Sequence, residues 1–103
     1  MCQIRYHSGD RKVIVFKDVQ WIDNDKFRLL IHGIEVTYRV EIKPGTLTQV
    51  ILRCINYDSV CLLEIDTSKN KLVAIQCIGF EKDEVKKAII SKLAVQVPQS
   101  LRI

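Results

Sequence analysis

The chain has 103 residues, 48% of them apolar and 27% charged, and sixteen Lys and Arg against twelve Asp and Glu give a net charge of +4. That length makes a single domain with one core, and no apolar run approaches the ~20 residues of a membrane-spanning helix. The basic excess is mild and leans towards the N-terminal half; it disfavours a dedicated duplex-DNA binder, which is more strongly and locally basic.

The N-terminal stretch MCQIRYHSGDRK lacks the apolar centre of a signal peptide, so a cytoplasmic location is expected. Cys2 to His7 alternates apolar and polar residues as a short strand does, and Ser8-Gly9-Asp10 reads as a turn into a β-branched strand over Lys12 to Val19. Asp18 to Asp25 is expected to be a connection holding the single tryptophan, Trp21, among Asp18, Asp23 and Asp25. Within it Asp23-Asn24-Asp25 is turn-forming. A calcium loop is disfavoured there, because Phe27 and Arg28 follow where such a loop continues towards its glycine and glutamate.

Lys26 to Lys43 carries the firmest pattern. From Ile34 the apolar residues Ile34, Val36, Tyr38, Val40 and Ile42 alternate with Glu35, Thr37, Arg39 and Glu41, the signature of a strand with one wet face. His32-Gly33 just before it supplies the positive φ angles of a two-residue hairpin turn. Closing there predicts a register of Ile31 with Ile34, Leu29 with Val36 and Phe27 with Tyr38 on one face, and of Lys26 with Arg39 and Arg28 with Thr37 on the other.

Pro44-Gly45 ends that strand. Thr46 to Asn56 supports two readings: Leu47, Val50, Ile51, Cys54 and Ile55 fall at helical spacing, yet the β-branched content favours a strand, and the strand is preferred. Val60 to Asp66 and Lys71 to Gly79 form a second hairpin around Thr67-Ser68-Lys69-Asn70. Both strands are apolar on both sides, which predicts places in mid-sheet with cover on each face. Glu81 to Ala94 reads as an amphipathic helix with Val85, Ala88, Ile89 and Leu93 as its stripe and Glu81, Asp83 and Glu84 in its first turn; Val97-Pro98 ends it before a tail from Gln99 to Ile103. The expected fold is therefore α+β: an antiparallel sheet of about six or seven strands built from hairpins, with one C-terminal helix packed on it.

No nucleophile elbow, phosphate-binding glycine loop or paired histidines are present, so no catalytic residue and no cofactor are predicted. The spacing of Cys2, Cys54, Cys61 and Cys77 fits no zinc knuckle, and reduced, buried thiols are expected rather than disulfides or a metal site. A nucleophile made from a cysteine with His7 or His32 is the weaker alternative, since a thiolate is disfavoured in apolar strands.

Two surfaces are candidates for binding. Trp21, ringed by Asp18, Asp23 and Asp25, has the makeup of a protein-binding anchor with a polar rim, against the plainer possibility that Trp21 plugs the core. The wet hairpin face offers Lys26, Arg28, His32, Arg39 and Lys43 to an anion; nucleic acid is the natural alternative partner, although Phe27 and Tyr38 fall on the opposite face and cannot stack on unpaired bases there. The segment Tyr57-Asp-Ser-Val-Cys-Leu-Leu-Glu-Ile-Asp66 followed by Lys71-Leu-Val-Ala-Ile-Gln76 resembles a hairpin found in small β-rich immunity proteins of bacterial toxin–immunity pairs. That resemblance implies a non-catalytic cytoplasmic protein that binds and neutralises a toxin domain. Inhibitors of nuclease toxins in those families are often acidic, so the basic charge here implies contact through the acidic loop or a different kind of toxin.

Overall fold

A computed structural model describes residues 16–101. Six strands, β1 (Gln20–Asp23), β2 (Lys26–Ile31), β3 (Ile34–Lys43), β4 (Thr48–Cys54), β5 (Ser59–Asp66) and β6 (Lys71–Gly79), form one sheet in chain order, every neighbour antiparallel. They are followed by the helix α1 (Lys82–Ser91) and a 3-10 turn at Gln99–Leu101. The α+β class and the hairpin construction are as expected. The proposed strand Cys2 to His7, and Lys12 to Val15 of the next, lie outside the described residues.

The β2–β3 hairpin has the register its sequence dictates. Ile31 pairs with Ile34, Leu29 with Val36, Phe27 with Tyr38 and Lys26 with Arg39. His32 (φ 52°) and Gly33 (φ 79°) both take left-handed angles, which match the twist of the flanking strands. Thr46 to Asn56 contains a strand, as preferred: Thr48, Val50 and Leu52 are buried while Gln49, Ile51 and Arg53 point the other way.

The inner face of the sheet and α1 share one core. Phe27, Val36, Tyr38, Val50, Leu52, Leu63, Ile65 and Leu72 lie under Val85 and Ile89. Each apolar side chain removed from water at such a site contributes roughly 1.5–3 kcal/mol before entropy is counted. Residues after α1 tie the two ends of the meander together. The Lys17 amide donates to the Lys92 carbonyl at 2.7 Å beside a bridge between Phe16 and Leu93, and the Leu72 amide donates to Gln96 at 2.8 Å.

Four expectations are corrected. Residues Gln20–Asp23, read as a connection, form the edge strand β1, because the turn at Asn24 and Asp25 folds them back along β2. The strand expected through Val19 does not continue there: Phe16 makes only an isolated bridge, and Asp18 is left-handed at φ 56°. The helix stops at Ser91 rather than Ala94, since the chain beyond it turns to bond both sheet ends. Lastly, among the described residues β5 and β6 are covered on one face only, and β6 ends the sheet order. Their outward side chains stay wet: Leu62 is 36%, Val73 43% and Ile78 57% exposed.

The thiol expectation is corrected as well. Cys61 and Cys77 stand opposite each other in β5 and β6, with Cα atoms 4.1 Å apart, and are joined as a disulfide; Cys54 is free. Linear spacing hides this pairing, since only the hairpin register brings the two positions together.

Two glycines separate conformational strain from crowding. Gly33 has open space around its missing side chain, whereas a Cβ on Gly79 (φ 96°) would run into the Asp58 carbonyl oxygen. Gly33→Ala is expected to cost about 1 kcal/mol from the left-handed angle alone, and Gly79→Ala about 2–4 kcal/mol from strain plus collision; urea unfolding of both variants checks the order. Reduction of Cys61–Cys77, 16 positions apart in sequence, is expected to lower stability by about 3 kcal/mol through the freed loop. A urea midpoint unmoved by reductant would show that the bond does not constrain the unfolded chain.

Candidate functional site

Trp21 sits opposite Phe27 on the inward side of β1, and the backbone register therefore aims its indole at the core. Its ring meets Phe27 edge-on at 5.2 Å and Phe16 at 6.4 Å, continuing through Phe27 to Tyr38 as one aromatic row. The side chain is half-buried, and its Nε1 is shielded from solvent without an acceptor among the described residues. The surrounding carboxylates are occupied locally. Asp23 accepts from the Asn24 amide at 2.8 Å and from Lys26 Nζ at 3.3 Å, and these contacts hold its carboxyl below the usual range. Asp25 lies 3.7 Å from the same ammonium. Asp18 is exposed, on the far side of Val19 from the strand. Lys26 thus offsets part of the loop's negative charge, and its tryptophan packs into one end of the core.

The basic residues separate in space. Lys26 and Arg39 are cross-strand neighbours on the outward face, and the β3–β4 register places Arg53 directly beside Arg39. Three cations therefore form one row across β2, β3 and β4. Arg53 was absent from the sequence-based set, because its face follows only once Thr48–Cys54 is a strand in register with β3. Three of the basic side chains have counter-charges: Arg28 reaches Gln20 at 3.0 Å and Glu35 at 3.6 Å, Arg53 reaches Glu41 at 3.5 Å, and Lys26 has its two aspartates. Arg39 is exposed and has no carboxylate within ion-pair distance among the described residues. Lys43 shares the face but lies about 13 Å further along β3.

His32 does not join this face. From the hairpin tip its Nε2 contacts Glu84 Oε1 at 3.0 Å, bracing the turn against α1. Cys54 Sγ donates to Asn56 Oδ1 at 3.3 Å rather than meeting His32, and Asn56 in turn holds the Thr37 amide and the Glu35 carbonyl. The buried Tyr38 hydroxyl shares a hydrogen bond with Ser59 at 3.1 Å; burial pushes its phenol above the ordinary value.

The outward row continues beyond Arg53. Val60 stands beside it and Ile78 beside Val60, with Ile51 and Leu62 neighbours in the adjacent row. The open sheet face thus passes from cationic over β2–β4 to apolar over β4–β6, with no aromatic ring at any outward strand position from β2 to β6. No protein-family model matches the chain, and no curated protein or solved structure is significantly similar to it.

Truncation of Trp21 tests its packing role. Trp21→Ala is expected to destabilise the fold by about 3 kcal/mol, the low end for a large aromatic because part of the ring stays wet. A change under about 0.5 kcal/mol in urea unfolding, the size of an ordinary surface substitution, would return the indole to the surface as a free anchor.

Proposed function

We propose that this chain is a non-catalytic protein-binding domain that uses the outward face of its sheet, and that its partner is a toxin domain it neutralises. One observation supports the binding reading above the rest. Leu62 and Ile78 are 36% and 57% exposed on strands that also carry Val60 and Ile51 on the same face, and a contiguous apolar patch of this kind marks an interaction surface. The polar and charged residues around it, Glu41, Arg53, Glu64 and Gln76, have the composition of a rim. The toxin as partner rests on the resemblance of the Tyr57–Asp66 and Lys71–Gln76 hairpin to immunity proteins.

The location that goes with this reading is the cytoplasm. Reducing conditions there oppose a disulfide; Cys61 is fully buried and Cys77 half-buried, so exchange would have to enter at the Cys77 sulfur. Among the described residues no helix is long and apolar enough to cross a membrane.

The row Lys26–Arg39–Arg53 supports a second reading, a module that grips nucleic acid by its phosphates. The missing outward aromatics weigh against recognition of single strands.

A pull-down from the native host lysate at low and high salt separates the two. With the wild-type chain, one protein is expected at near-stoichiometric amount through high salt, and a folded Leu62→Arg variant is expected to lose it. If that protein is a toxin, its activity should be blocked in the complex. Nucleic acid held only at low salt, with no protein, would sink the first reading, because phosphate contacts weaken steeply with salt.

A further inference from the structure

We infer that the partner presents an acidic–apolar protein segment to the row formed by Lys26, Arg39, Arg53, Val60 and Ile78, with its carboxylates over Arg39 and Arg53 and its apolar side chains over Val60 and Ile78. This rests on the reading of the sheet face as a protein-binding surface and adds the chemistry of what binds.

The charge pattern carries it. Like charges directly opposite on neighbouring strands repel, and this sheet holds two such contacts in succession, Lys26 with Arg39 and Arg39 with Arg53. The outer two members are eased from within the chain, by Asp23 and Asp25 at one end and by Glu41 at the other. Arg39, in the middle, is flanked by cations on both sides. An anion placed there pairs with Arg39, the member of the row without a counter-charge among the described residues, and eases its repulsion with Lys26 and Arg53, so charge complementarity selects an acidic ligand.

The rest of the row selects a protein over a polyphosphate. After Arg53 the same line runs into Val60 and Ile78, with Leu62 adjacent, and these give a phosphate backbone nothing to bind. Strand neighbours are about 4.8 Å apart, close to the 5–6 Å between side chains one turn apart on a helix. Successive turns of a helix laid across the strands therefore meet successive residues of the row, and from β2 to β6 the row spans about 19 Å.

The test uses the full chain, labelled with nitrogen-15, and a designed helical peptide with Glu on two successive turns and Leu on the next two. Saturable shifts are expected at Arg39, Arg53, Val60 and Ile78, weakening as salt rises. Arg39→Glu combined with Arg53→Glu should reduce affinity on the order of a hundredfold, the scale of like charges set against each other across an interface. Arg39→Gln with Arg53→Gln, which relieves the repulsion without adding an opposing charge, should bind with intermediate affinity; retained amide dispersion reports that both variants are folded. Shifts elsewhere, no saturable shift, or unchanged affinity in the charge-reversed variant would overturn the inference. So would a single-stranded oligonucleotide of matched charge that displaces the peptide from the same residues. Failure here is separable from failure of the wider reading: a lysate partner that Leu62→Arg loses but the charge-reversed variant keeps leaves a protein-binding domain with a different contact chemistry.

Discussion

Pairing of β2 with β3 through the His32–Gly33 turn is the constraint from which the rest of the structure follows. Side chains alternate strictly along a strand, so a slip of one residue would turn one strand over against the other, sending either Phe27 and Leu29 or Val36 and Tyr38 to water. Two left-handed residues and ten consecutive alternating positions hold the pairing in place. Every later strand pairs with the one before it, and the registers of those pairs bring Arg53, Val60 and Ile78 into line with Arg39.

A six-stranded meander has two free ends and two faces, and one short helix protects only part of that surface. α1 packs against β6 and β2 on the inner face, and residues 92–97 then bond to both ends of the sheet. Trp21 and Phe16 extend the core to the β1 end through an aromatic row. Among the described residues nothing equivalent covers the outward face. Apolar side chains on β5 and β6 that a second layer would bury are therefore left exposed among those residues.

The Trp21 loop and the basic face also differ in how freely their charges can act. Asp23 and Asp25 already face Lys26, so part of the acidic loop's charge is offset from within the chain. Arg39 stands between two cations and has no carboxylate within ion-pair distance among the described residues.

The sequence by itself determined what depends on neighbours along the chain: the β2–β3 turn and register, the β5–β6 hairpin, the faces of the strands within Lys26–Lys43, and a helix near Glu81 with acidic residues at its start. Local turn angles and side-chain periodicity set all of these. Tertiary structure decided whatever needed two distant segments to meet. Arg53 joined Lys26 and Arg39 only when β4 docked on β3, Cys61 met Cys77 only across a hairpin, and His32 left the basic face once Glu84 was within reach. Apolar residues on both sides of β5 and β6 read as a doubly covered strand pair, since periodicity records which faces are greasy and not whether this chain supplies their cover. That cover depends on how many layers the chain can build, and the described residues build one helix.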